Sequence, residues 1–173
     1  GMAANAKAFL GLPKDESVVN VVQLSETNQL ALGTKLGVVK RVLADYPPKD
    51  EFELIALKDG DRLVGAAPAT DEDELVFITS DAQLLHFPAG AVRPQGRPAG
   101  GMAGINLDSD SVVIHFGVVT DPENALVLTA ANASDMLPGT DPGSGKVSKF
   151  TEFPGKGRAT GGVRAQRFIR SED

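Results

Sequence analysis

Few residues in this 173-residue chain have the chemistry of a catalyst. The two histidines, His86 and His115, stand on different strand-like runs with no cluster of ligands around either, which argues against a metal centre. There is no cysteine, so thiolate nucleophiles, disulfides and Cys-based zinc sites are excluded. The segment 139-GTDPGSGKVS-148 glances at a phosphate-binding loop. Its first glycine, however, is one residue too far from the Gly-Lys pair, and Val147 stands where a hydroxyl must meet magnesium. The acidic runs 71-DEDE-74 and 108-DSDS-111 lack the twelve-residue pattern of a calcium loop and read as solvated turns. No nucleophile elbow supports Ser-His-Asp chemistry. No catalytic residue is assigned, and no metal or cofactor is implied.

What the chain offers instead is cations, unevenly placed. The formal net charge is −6, which by itself argues mildly against general nucleic-acid affinity. Residues 142–173, however, hold seven of the 17 Lys and Arg and three of the 23 Asp and Glu, a local charge of +4 against −10 for the remainder.

The elements that must position these cations are short strands in repeats. Three segments open alike, 30-LALGT-34, 75-LVFIT-79 and 126-LVLT-129, and each leads to a second strand-like run, 37-GVVKRV-42, 82-AQLLHF-87 and 145-GKVSKF-150. In the third unit the intervening turn swells to 130-AANASDMLPGTDPGS-144, whose composition marks a surface loop. Each hairpin is followed by a Pro/Gly-rich connection and a third strand: 96-GRPAGGMAGINL-107 and 157-GRATGGVRAQRF-168 share G-R-x-x-G-G, and 50-DEFELIAL-57 keeps only the strand. A fourth strand follows an acidic turn in 58-KDGDRLVGA-66 and 108-DSDSVVIHF-116. An orphan copy of that second half stands at the start, where 12-LPKDESVV-19 aligns with 57-LKDGDRLV-64, and the third unit ends without its fourth strand. The strand 17-SVVNVVQL-24 is therefore a candidate to fill that place, within the chain or in a neighbouring copy.

Four short strands per roughly 45–50 residues predict propeller-like blades that bury their faces on one another. The fold class is all-β, with about three and a half four-stranded blades. A half blade covers 9–26, blades cover 27–72 and 73–123, and an incomplete blade covers 124–170, with 1–8 and 171–173 as flexible ends. No apolar run approaches the roughly 18 residues of a membrane helix, and the first nine residues lack the features of a signal peptide; a soluble cytoplasmic protein is expected.

The repeat resembles the C-terminal repeat of bacterial DNA gyrase A subunits and the related repeats of topoisomerase IV A subunits. Its carriers are 75-LVFIT-79 with 93-RPQGRPAGGMAGINLDSDSVV-113, and 126-LVLT-129 with 156-KGRATGGVRAQRF-168. The resemblance implies a β-pinwheel whose basic rim binds and bends duplex DNA without sequence preference, with catalysis left to other parts of the parent enzyme. It implies duplex DNA and the topoisomerase catalytic core as partners, with a second copy of the chain where a ring needs completing, and a nucleoid-associated location. The gyrase heptapeptide Q-R-R-G-G-R/K-G has no full copy here, 95-QGRPAGG-101 sharing part of it.

Wrapping DNA requires a line of cations facing phosphates. Aligned hairpins put Arg41, His86 and Lys149 in one column and Val42, Phe87 and Phe150 in the next, and adjacent strand residues point to opposite faces. Val and Phe are thus expected between blades, and Arg, His and Lys outward, joined by Lys40 and Lys146. Arg93, Arg97, Lys156, Arg158, Arg164 and Arg167 lie in or near the glycine-rich connections and are expected to contact phosphates; the glycines read as turn formers. The acidic unit one is the weakest DNA candidate. The alternative function, favoured by the acidic total, is a propeller-like protein-interaction module.

Overall fold

A computed structural model describes residues 19–22, 29–48, 52–130 and 145–164. Its local unit is a hairpin closed by threonine. Strands β1 (Gln29–Thr34) and β2 (Val38–Val42) pair antiparallel, and the Val38 N–H donates to Thr34 Oγ1 at 3.0 Å. The next hairpin repeats the device: β4 (Glu74–Thr79) pairs with β5 (Gln83–Pro88), and the Gln83 N–H donates to Thr79 Oγ1 at 3.0 Å. The threonine that ends each L-x-x-x-T run thus satisfies a turn donor that a tight loop would leave open. The fourth strands, β3 (Leu63–Ala69) and β8 (Val113–Val119), pair with β1 and β4 on the side away from the hairpin partner, each with a register shift at the threonine.

The far edge of each hairpin is closed by the following unit. Strands β6 (Pro94–Gln95) and β7 (Met102–Ala103) both pair with β2, the first parallel and the second antiparallel, so the connection of unit two completes the first blade. In the same way β11 (Val163–Arg164), from unit three, pairs with β5. The last hairpin, β9 (Leu126–Ala130) with β10 (Gly145–Lys149), forms a two-stranded sheet. Sequence units and spatial blades are therefore offset, because the unpaired N–H and C=O groups on the outer edges of β2 and β5 need partners that the same unit does not supply.

Close approach explains the paired glycines. A Cβ on Gly101 would lie 2.7 Å from Val39 O, and one on Gly162 would lie 2.5 Å from Leu84 O; both residues have positive φ, +86° and +78°. They sit at equivalent points where the crossing chain meets the preceding blade, and no side chain fits there. Gly100 and Gly161 have no such contact: their nearest neighbours would be 3.4 and 3.8 Å from a Cβ.

Stacked sheets bury both faces of each hairpin. Between the first and second blades lie Ala31, Val39, Leu75, Phe77, Leu85, Phe87, Val113 and Phe116. Between the second and third lie Val76, Leu84, Val127, Phe150 and Phe153. A third cluster, Leu30, Leu32, Val42 and Ala66, sits on the far side of the first blade and is covered by Val22, Leu54 and Ile55. Strands β3 and β8 pack against each other, which marks the edge where blades converge; the crossing segments lie on the opposite edge. The all-β propeller expectation holds.

Three expectations are corrected. Residues 52–57 form no regular strand, since they cross toward a blade that has no hairpin among the described residues. The acidic run 71–74 is more than a solvated turn: Asp73 Oδ2 accepts the Thr70 N–H at 2.8 Å, while Asp71 and Glu74 pair with buried bases. Residues 19–22 lie beside β3, where Asn20 Nδ2 donates to Ala66 O at 2.6 Å, so they do not fill the fourth-strand place of unit three within the chain. The loop 131–144 lies outside the described residues.

Replacing Gly162 by Ala combines a left-handed backbone costing about 1–2 kcal/mol with a clash against Leu84 O, and is expected to destabilise by at least about 2 kcal/mol. Thermal unfolding should show a fall of roughly 4–8 °C. Gly161→Ala should leave the transition within about 2 °C.

Candidate nucleic-acid interface

The cations divide by backbone position. Those on the second strands are interior. Lys40 is 0% exposed, and its Nζ donates to Leu54 O (2.6 Å), Arg97 O (2.7 Å) and Ala99 O (2.7 Å). Three acceptors match the three N–H groups of an ammonium, while burial holds its pKa below the ordinary 10.5. The glycine-rich loop of unit two is thus wound around a lysine of the preceding hairpin. Arg41 is 3% exposed; its guanidinium donates to Asp71 Oδ1 (2.6 Å), Ala89 O (3.2 Å) and Val92 O (3.3 Å). His86 repeats the contact one blade on. Its Nε2 lies 2.6 Å from Phe153 O and its Nδ1 2.9 Å from Glu74 Oε1, with the ring against Phe150. Both partners present oxygen atoms to the ring.

The outward placement expected for Lys40, Arg41 and His86 is therefore corrected. Arg41 and His86 do point away from Val42 and Phe87, but that face is covered by the next blade. Each is an inter-blade fastener, reaching the turn after the next blade's second strand.

Lys149 does not belong to that column. Equivalent turns follow β5 and β10: Val92 N–H donates to Ala89 O and Phe153 N–H to Phe150 O, both at 3.0 Å, and the Ala89 and Phe150 N–H groups reach Asp73 O (2.7 Å) and Ala125 O (3.0 Å). This places Phe150 with Ala89, Lys149 with Pro88 and Val147 with His86. Against the sequence alignment β9 is displaced by one residue, which moves its side chains to the other face, and β10 by two, which leaves its faces unchanged. Val127 and Ser148 consequently face the second blade, and Lys149 is exposed.

The crossing segments carry the accessible charge. Arg93, Lys156 and Arg164 are exposed, on the stretches that run along the outer edges of β2 and β5. Arg97 and Arg158, the arginines of the two G-R-x-x-G-G copies, are half-buried and lean back on the preceding connection. Arg97 Nε donates to Asp45 O (3.2 Å) and its guanidinium lies 5.7 Å from the Phe52 ring centre; Arg158 donates to Ala103 O at 2.6 Å. Lys146 is exposed on β10, and Arg167 lies outside the described residues. Among the described residues no group of three His, Asp or Glu is arranged to hold a metal ion, and no helix is long and apolar enough to cross a membrane.

The two kinds of cation separate by experiment. Lys40→Met strips the donors from three half-buried carbonyls and is expected to cost about 2 kcal/mol, read as a lower urea midpoint and faster amide exchange around residues 95–101. Lys149→Met should change stability by no more than about 0.5 kcal/mol.

Known proteins place this architecture. The family described as DNA gyrase C-terminal domain, beta-propeller, matches residues 53–70, 73–120 and 139–168. The gyrase A protein of Chlamydia muridarum is 33% identical over 154 residues, covering 86% of this chain and 17% of that protein. The gyrase A protein of Mycolicibacterium smegmatis is 27% identical over 172 residues, covering 96% of this chain and 19% of that protein. The chain thus spans less than a fifth of these relatives. Among solved structures, the C-terminal domain of DNA topoisomerase IV superposes with a TM-score of 0.74 at 22% identity, over 88% of this chain and 46% of that one. The DNA gyrase A C-terminal domain gives 0.70 at 18% identity, over 91% and 51%. These likenesses show a shared fold. With more than half of its residues matched to the family, the chain belongs to the beta-propeller C-terminal domains of DNA gyrase.

Proposed function

We propose that this chain is a non-catalytic module of a type II topoisomerase, part of its A protein, that binds and bends duplex DNA for a catalytic core elsewhere in the enzyme, in the cytoplasm at the nucleoid. The observation that carries this is the placement of Arg93, Arg97, Lys156, Arg158 and Arg164 on crossing segments that all run along one edge of successive blades. A duplex laid along that edge meets a cation on each segment it passes, and phosphate neutralisation with counterion release supplies sequence-independent affinity. Lys149 and Lys146, on the hairpin of the basic third unit, extend the charge. Lys40 and Arg41 serve by holding the connections in place.

Binding should be weak, indifferent to sequence and steeply dependent on salt. Anisotropy titration of a labelled duplex at about 50–200 mM salt measures it, and each phosphate contact removed should lower the log–log slope by about 0.9. The combined change of Lys156, Arg158 and Arg164 to Glu is expected to weaken binding by at least about tenfold, and Glu72→Gln to leave it unchanged. Absence of binding at about 50 mM salt, or affinity that ignores salt, overturns DNA binding and leaves the protein-interaction reading.

A further inference from the structure

The two ends of the described structure carry complementary halves of one blade. A whole blade here has three parts: a hairpin, the fourth strand of the same unit, and the crossing segment of the next. The first blade has β1–β2, β3 and β6–β7; the second has β4–β5, β8 and β11. The β9–β10 hairpin has neither addition among the described residues. Its outer face presents Leu126, Leu128 and Val147 at 65%, 71% and 59% exposure, although the residues matching Leu128 and Val147 one blade earlier, Val76 and His86, are 6% and 7% exposed. Beside β9 an apolar groove of about 560 Å³ opens toward β8, lined by Ile78, Ile114, Val118, Leu126 and Leu128. It lies where a fourth strand would pair with β9 and pack on β8, as β8 itself pairs with β4 and packs on β3.

The opposite end holds the missing pieces. Ala56 N–H donates to Ala99 O (3.4 Å) as Asn106 N–H donates to Thr160 O (2.9 Å), which puts residues 54–57 in the place of 104–107, the end of a crossing segment. Residues 19–22 lie against β3 as a fourth strand would, with Asn20 on Ala66 O and Val22 on the Leu30–Leu32–Val42 cluster. Their other face is open: Val21 is 93% exposed. Among the described residues, a fourth strand and a crossing segment without a hairpin stand at one end, and a hairpin without either stands at the other.

We infer that a second copy of this chain completes the β9–β10 blade, its residues 19–22 entering the groove beside β9 and its residues 52–57 running along β10. The exchange is reciprocal and closes a head-to-tail pair with two whole blades from each copy and two composite ones. The apolar character of both open faces supplies the driving force.

Sedimentation equilibrium of the full 173-residue chain from about 1 to about 500 µM tests this. The expected species has twice the 18.0 kDa chain mass. Leu128→Glu and Val21→Glu alter opposite ends at exposed positions, so circular dichroism should match the unaltered chain; each alone should sediment as a monomer. Their equimolar mixture should recover a 1:1 species, since each retains one intact end. A monomer across the whole range overturns the inference and leaves the open face to a continuing polypeptide. A dimer that tolerates both substitutions overturns it by pointing to another surface, and a ladder of larger species overturns ring closure.

Discussion

The outer edge of each hairpin's second strand is the constraint on which the rest of this structure depends. A strand edge buried against a neighbour, or left long and flat in water, exposes N–H and C=O groups that must find partners. Here β2 and β5 find theirs in the chain that leads out of the following hairpin. The backbone therefore crosses from one blade to the edge of the one before it, and the blades are linked by hydrogen bonds as well as by apolar packing. The left-handed glycines at 101 and 162, the loop wound on Lys40 and the incomplete hairpin at β9–β10 all follow from that crossing.

Crossing also decides where charge can be used. A segment on the outermost edge of a sheet is in contact with solvent, whereas the second strand beneath it is enclosed by the segment on one side and by adjacent blades on both faces. A cation on the strand must spend its donors inward, as Lys40 and Arg41 do on backbone carbonyls. A cation on the segment keeps at least part of its hydration shell, and an incoming anion can replace it. Total charge, −6, says little about where an anion can approach such a fold, because the cations within its reach are those on crossing chain.

The sequence made the repeat legible for a physical reason: each L-x-x-x-T run must be apolar on both faces to sit between blades and must end in a hydroxyl to close its turn, as Thr34 and Thr79 do. Alternation along the second strand was legible too, and it separated Arg41 and His86 from Val42 and Phe87 correctly. What alternation cannot reveal is whether the second face meets water. In a stack of sheets both faces are interior, so opposite to phenylalanine does not mean outward. Register in the third hairpin was hidden for the same reason: Leu-Val-Leu is equally apolar in either phase, and the displacement, one residue on β9 and two on β10, shows in the turn hydrogen bonds at Phe150 and Phe153 and in the pairing of Lys149 with Leu126. The crossing was invisible because β6, β7 and β11 are two residues long each, too short for a period, and their one local sign was a pair of glycines.

The rim cations are themselves of two kinds, and the difference bears on how DNA would be held. Arg97 and Arg158 are each anchored by one backbone carbonyl, and Arg97 also by an aromatic face, so part of their side-chain entropy is already surrendered in the free protein. An arginine has five donors, and one or two used at the base of the fork leave others for a phosphate. Binding then costs these residues less ordering than it costs a long exposed lysine such as Lys156, which loses up to about 2 kcal/mol of rotamer freedom on being fixed. For a duplex bound as proposed, the arginines of the two G-R-x-x-G-G loops are suited to fix its crossing of each blade, and the exposed lysines to add attraction that is insensitive to register. Both segments are held by the strand beneath them: the loop that presents Arg97 is wound on the Lys40 side chain, and the segment that presents Lys156 is tied by its backbone N–H to the backbone carbonyl of His86 at 3.1 Å. The enclosed ammonium of Lys40 thereby holds the loop of Arg97 in place, and the backbone of β5 does the same for the segment of Lys156.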